Sequence, residues 1–157
     1  MSAESQQRPR TTARGGRRRS RELAVQGIYQ WLLNAAEPAA IQRDLQQSDQ
    51  YDQADVEYLS TLIRGAVEQA DSLRQTLAPQ LDRDVNLLSP VEHAILLVGA
   101  FELKTSLDVP YKVVINEAVE LAKVFGGTDG HKYVNGVLDR VGPALRPHDP
   151  AAKARGT

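Results

Sequence analysis

Arg17-Arg18-Arg19-Ser20-Arg21 puts four guanidinium groups within five positions near the N-terminus. A guanidinium is planar, charged at every physiological pH, and forked so that it pairs with two phosphate oxygens or stacks on a base. The run therefore reads as a grip on a polyanion, although alone it is equally a solvated tail or a nuclear-localisation-like patch. Tyr29 and Trp31 follow in the same amphipathic segment. A base-stacking ring beside a phosphate grip adds about 1–3 kcal/mol per unpaired base. Tyr29 is the candidate for that role, because Trp31 falls on the apolar stripe and reads as core. The combination favours RNA over a generic basic tail.

A second group lies towards the C-terminus. Lys132 and Tyr133 stand in the first turn of a predicted helix, where a cation and a ring could hold RNA backbone and a base. Asp129, just before them, could meet a basic partner protein. A plain solvated turn explains the same residues. His93 and His131, with Glu92 and Asp129 beside them, have the residue types of a metal site or an acid–base pair. They sit on different predicted helices without HExxH spacing or a third ligand, and read as ordinary surface or cap-proximal histidines. Phe125-Gly126-Gly127-Thr128-Asp129-Gly130 is glycine-rich but lacks the lysine and the strand of a phosphate loop. With no nucleophile elbow, P-loop or GxGxxG either, the chain reads as a binding protein rather than an enzyme, with no metal and no cofactor.

Charge is unevenly spread. Residues 1–21 hold seven arginines against Glu4, a balance of +6 that leaves −7 on the rest of a chain whose net charge is −1. A basic arm on an acidic body suits a polyanion binder and argues against a protein that coats nucleic acid with its whole surface. The longest apolar run, Ala94 to Phe101, falls far short of the roughly 18–20 residues that span a bilayer. The N-terminus has no continuous apolar stretch of the signal-peptide kind, although its arginines also fit an organellar transit peptide. The absence of cysteine rules out disulfides and suits a reducing compartment, so the cytoplasm is the expected location.

The elements that must position these residues are all helical. Residues 1–16 are polar and aperiodic and read as a disordered basic extension. A first helix is predicted over about 20–34, ended by Glu37-Pro38, with Ala24, Ile28, Trp31 and Ala35 on its inner face. A short helix near 39–47 and a long one over about 53–77 follow, the latter capped by Asp52 or Asp55. A polar stretch around 79–86 marks the best subdomain boundary. Ser89-Pro90-Val91-Glu92 is the clearest helix start, with a capping serine, proline at the first position and glutamate three on. The helix it opens is apolar nearly all round and should be central. Val109-Pro110 starts the next, which Gly126-Gly127 stops; the last opens at Thr128 or Asp129 and is ended by Gly142-Pro143. From Arg146 the tail reads as frayed. The fold expected is all-α, a compact bundle of about seven helices in two subdomains, residues 17–80 and 81–146, followed by a flexible tail at 147–157.

The segment Val109-Pro110-Tyr111-Lys112-Val113-Val114-Ile115-Asn116-Glu117-Ala118-Val119-Glu120-Leu121-Ala122-Lys123 resembles the VPYKVAINEAIELAK stretch of the NusB family of transcription antitermination proteins. Phe125-Gly126 and His131-Lys132-Tyr133-Val134-Asn135-Gly136-Val137-Leu138-Asp139 resemble its FG and HKFVNGVLD segments. Arg17-Arg18-Arg19-Ser20-Arg21-Glu22 resembles its RRRARE opening. The likeness spans about residues 17–146, and between 35 and 88 it holds only in helix pattern.

The resemblance implies two helical subdomains and binding to the boxA element of nascent ribosomal transcripts. The implied partners are the ribosomal protein also called NusE and the RNA polymerase antitermination complex with its other Nus factors. By position, it implies RNA contacts at Arg17, Arg18, Arg19, Arg21, Tyr29, Lys132 and Tyr133. Glu92, Phe125 and Asp129 fall on the implied ribosomal-protein surface. Asn116, Glu117, Asn135 and Gly136 match strongly and read first as packing, capping or helix-contact residues. Tyr133 replaces the common Phe, and residues 1–16 have no counterpart in the family's compact core. Two other readings stand beside this one: a homodimer that sequesters its RNA surface, and a relative of the helical domain fused to RNA cytosine methyltransferases.

Overall fold

The helix opened by Ser89-Pro90 is apolar nearly all round, and every residue from Ala94 to Leu103 is buried, Glu102 included. The computed structural model describes residues 13–125 and 129–152, with side chains from residue 15 onward. In chain order its helices are α1 (Ala13–Asn34), α2 (Pro38–Leu45), α3 (Val56–Glu68), α4 (Ala70–Leu77), α5 (Pro90–Thr105), α6 (Tyr111–Phe125) and α7 (Gly130–Leu145). Single 3-10 turns lie at Tyr51–Gln53, Ala78–Gln80 and Val85–Leu87. There is no strand among the described residues. The predicted extension at 1–16 lies outside them up to residue 12, as do 126–128 and 153–157.

Burial of α5 on all sides sets the layout. It packs against α1, α3 and α4 on one side and α6 and α7 on the other, and one hydrophobic cluster runs through both. Each fully buried Leu or Ile in it contributes roughly 1.5–3 kcal/mol. The polar stretch around residue 80 is tied across the same divide: Arg140 donates to the Gln80 carbonyl at 2.9 Å, and the Asp82 amide to the Tyr133 hydroxyl at 3.4 Å. Two glycines allow close approaches: a Cβ at Gly65 would strike the Phe101 ring, and one at Gly142 the Tyr111 phenol. No helix among the described residues is long and apolar enough to cross a membrane.

Local chemistry moves several predicted boundaries. α1 is already helical at Ala13, ahead of the expected start at Ser20. Its early turns are docked: the Asp55 amide donates to the Gly16 carbonyl at 3.0 Å, and the Ser20 hydroxyl lies 2.6 Å from the Asp55 carbonyl. α1 ends at Asn34, where Ala35 takes the left-handed conformation (φ 55°) and Asn34 accepts from the Ala36 amide. The predicted helix over 53–77 is two. Asp55 caps α3 by accepting from the Tyr58 amide at 3.0 Å, and the chain bends at Gln69, whose side chain takes a hydrogen bond from Lys104.

Nor does Gly142-Pro143 end α7, which continues to Leu145. Pro143 has no N–H for the Asp139 carbonyl, and the Tyr111 hydroxyl takes that place at 3.3 Å. Arg146, read from sequence as the start of a frayed tail, is buried. Its guanidinium donates to the carbonyls of Leu103 (2.6 Å), Ser106 (2.8 Å) and Val109 (2.8 Å). Leu103 is among the carbonyls the C-terminus of α5 leaves orphaned, Ser106 is its cap and Val109 lies in the loop beyond. A cation is the charge the helix dipole favours there. Ala152 is buried as well.

Candidate nucleic-acid interface

The arginines of α1 meet the acidic body at close range. Arg17 pairs with Asp108 at 3.1 Å and lies over the Tyr58 ring, 4.2 Å from its centroid. Arg18 grips Glu117 with two hydrogen bonds, at 3.0 and 2.7 Å, while its side chain stays 52% exposed. Arg19 pairs with Glu22 one turn on, at 2.6 Å. A fork held by one carboxylate is oriented and still has donors to spare, so Arg18 is preset rather than spent.

Arg21 departs from the expectation of an RNA contact. Its side chain is 5% exposed, turned into the core and bidentate to Glu102, with Glu117 3.7 Å away. Glu102 also accepts from the Tyr58 hydroxyl, and Ser106 lies 3.0 Å from the same phenol oxygen. Burial, reinforced by the Glu102 charge, pushes the Tyr58 phenol up to about 12. No buried side-chain nitrogen or oxygen among the described residues lacks a partner. Arg21 is thus a positioning residue that fixes α1 on α5. The sequence shows its charge but not its direction, because Glu102 lies 81 residues away, within the buried stretch of α5.

α1 and α6 both pack on α5, leaving a groove between them. Arg18, Glu22, Glu117, Glu120, Leu121 and Val124 line its first part. Val25, Gln26, Tyr29, Gln30, Val91 and Phe125 line the next, a hollow of about 360 Å³. Arg18, Glu22, Val25 and Tyr29 follow one another at the spacing of a single helix face. Tyr29 is 37% exposed, with its ring available at the surface. Phe125, predicted for the protein partner, therefore shares a hollow with Tyr29, predicted for RNA. Trp31 packs partly buried against the core, as its stripe predicts, under the guanidinium of Arg74.

The N-termini of α5 and α7 come together beyond this hollow. The Ser89 hydroxyl caps α5 by accepting from the Glu92 amide at 3.2 Å. The Glu92 carboxylate lies close enough to Gly130 that a Cβ there would sit 3.5 Å from its oxygen. It thus faces the positive end of α7. Asp129 and Lys132 are exposed and only loosely paired, at 3.7 Å. Tyr133 is half-buried, with Arg83 over its ring at 4.7 Å from the centroid. Arg83 in turn pairs with Asp82 at 2.6 Å, and this hydrogen bond pulls the Asp82 carboxyl down to about 2. A base could stack on Tyr133 only by displacing Arg83 or adding to it. Sequence reasoning missed Arg83, whose neighbours Asp82 and Asp84 disguise it as part of a solvated loop.

His93 is neither a ligand nor a simple surface residue. Arg74 donates to its Nε2 at 3.1 Å; burial, then the Arg74 charge, pull its pKa down to about 4. It is a neutral acceptor that holds Arg74 over Trp31. No group of three His, Cys, Asp or Glu among the described residues is arranged to hold a metal.

An all-α module wrapped round one buried helix, its groove running from arginines to aromatics, is the class that fold and site define. The model of the NusB family matches residues 18–143, and the chain belongs to that family. The transcription antitermination protein NusB of Paraburkholderia phymatum is 54% identical over 142 residues, covering 90% of this chain and 98% of its own length. That of Ralstonia pickettii is 50% identical over 149 residues, covering 95% and 96%. Among solved structures, T. maritima NusB superimposes with a TM-score of 0.74 at 28% identity, covering 93% of this chain and 99% of its own. A complex of the antitermination factors NusB and NusE with double-stranded RNA contains a chain of the same fold, at a TM-score of 0.69 and 23% identity, covering 81% of this chain and 96% of its own.

Proposed function

We propose that this protein is a transcription antitermination factor. It binds the boxA element of nascent ribosomal transcripts together with NusE and joins the RNA polymerase antitermination complex. The observation that carries the reading is the groove between α1 and α6, with the preset, half-exposed fork of Arg18 at one end and Tyr29 beside Phe125 at the other. Its relatives at 50–54% identity bear the antitermination name, and a protein of the same fold has been crystallised with NusE and RNA.

In this reading Arg17, Arg18 and Arg19 hold phosphates, with Lys132 adding a further cation. Tyr29 stacks on an unpaired base, and Tyr133 with Arg83 offers a second, layered surface. Glu92, Phe125 and Asp129 face NusE, a basic protein surface meeting two carboxylates round an aromatic anchor. Arg21 supports the RNA edge from within. The work is recognition without bond making, in the cytoplasm where transcription takes place.

A titration with boxA-type RNA and a base-scrambled control, each with and without NusE, tests this. Tight binding only with boxA and NusE together, weakening as salt rises, is the expected result. Equal, weak affinity for both RNAs under every condition would reduce the site to a basic tail.

A further inference from the structure

The two asparagines of the motif segments, Asn116 and Asn135, are not packed. Both are exposed, on opposite sides of a polar cleft between α6 and α7 of about 240 Å³. Tyr111 and Ile115, both buried, form its floor, and Lys112 and Asp139 complete the lining. Among the described residues neither carboxamide, nor the Lys112 ammonium, has a hydrogen-bond or ion-pair partner within the chain. Packing and capping, the roles their sequence context suggests, therefore do not account for them.

We propose that this cleft takes an unpaired nucleobase of the bound RNA, with Asn116 and Asn135 reading its edge and Lys112 holding its phosphate. The inference rests on the RNA-binding reading above and extends it. A carboxamide presents a donor and an acceptor side by side, the pattern that pairs with a base edge. Single-stranded RNA offers such edges freely, because its bases are not committed to a partner strand. Position supports the same occupant. Val113 and Glu117, the residues next to Lys112 and Asn116, line a hollow with Arg17 and Arg21. A strand held by Arg17 and Arg18 thus crosses the first two turns of α6 to reach the cleft. The Phe125 hollow lies nine residues further along α6, about 13 Å of helix rise away, so the cleft is distinct from it.

The test is anisotropy titration of the full chain, with and without NusE. The RNAs are boxA-type, its single-base replacements and the scrambled control. Asn116→Ala and Asn135→Ala should each weaken boxA binding roughly tenfold while leaving the scrambled RNA and the salt slope unchanged. Lys112→Gln should weaken both RNAs alike and lower the slope by about 0.7, the value for one single-strand phosphate. All three side chains are exposed, so thermal melts should match the parent chain. If the parent discriminates and both asparagine variants discriminate equally well, the proposal is wrong while the RNA reading stands. If they instead weaken NusE binding in the absence of RNA, the cleft is a protein surface and the proposal is again wrong. A parent chain that binds neither RNA removes the RNA reading itself, and this inference with it.

Discussion

The two ends of α1 are built on opposite principles. At the N-terminal end every arginine with a described side chain has a carboxylate: Asp108, Glu117, Glu22 and Glu102 answer Arg17, Arg18, Arg19 and Arg21. Towards the C-terminal end, Tyr29 and Phe125 face a hollow of about 360 Å³ with little polar commitment. One end is an electrostatic scaffold whose charges are aimed in advance; the other is a largely apolar hollow flanked by two aromatic rings. In the proposed reading, long-range attraction to phosphate belongs to the first, and short-range fit to a base or a protein side chain to the second. A module divided in this way can weaken with salt at one end and keep its selectivity at the other.

Breaking the scaffold end should have the largest effect. Glu102→Ala leaves the Arg21 charge buried without its bidentate partner and the Tyr58 hydroxyl with Ser106 alone, and should cost about 3–5 kcal/mol of unfolding free energy in urea. A loss below 1 kcal/mol would mean that the network is ornamental. Acid should come next, acting near the aromatic end through His93. Its folded pKa, about 4, lies below its ordinary 6.5. The unfolded chain therefore binds the extra proton, and stability that is full above pH 6.5 should drain as pH falls towards 4. The loss is about 1–3 kcal/mol after allowance for partial screening. His93→Gln, which keeps an acceptor for Arg74, should flatten that slope.

Changing Tyr29 to Ala should cost the RNA complex about 1–3 kcal/mol by lost stacking. The same change should move stability by less than about 0.5 kcal/mol, because the ring is exposed. Comparing calorimetric binding with a thermal melt separates the two effects. The smallest change is Ala35→Gly. Ala35 holds a left-handed conformation just beyond α1, and glycine should relieve about 1 kcal/mol of strain without touching RNA affinity. Together these variants should show stability concentrated at the arginine end and recognition divided between both.

How much of this the sequence discloses depends on the range of the forces involved. Ser89-Pro90-Val91-Glu92 announced α5 because a cap, a proline and a periodic apolar run act within a few residues. The two aromatics of α1 were legible for the same reason, Trp31 falling on the central apolar stripe and Tyr29 on the one adjoining it. The direction of Arg21 was not, because it is decided by Glu102, a distant residue that looks out of place until the helices are packed. Arg146 and Pro143 misled for a related reason. Both carry breaker or tail composition, and both are reconciled by tertiary partners, the carbonyls at and just beyond the end of α5 and the Tyr111 hydroxyl. Asn116 and Asn135 stood out in the motifs, but only their placement shows that they face solvent.

The division of labour along α1 is tested most directly by the salt dependence of boxA binding, with NusE present, for the parent chain and for Arg17→Ala/Arg18→Ala/Arg19→Ala. The slope of log affinity against log salt should fall by about 2, three single-strand phosphates at roughly 0.7 each. The preference for boxA over scrambled RNA should survive. An unchanged slope, or a collapse of that preference with the slope intact, would contradict that division.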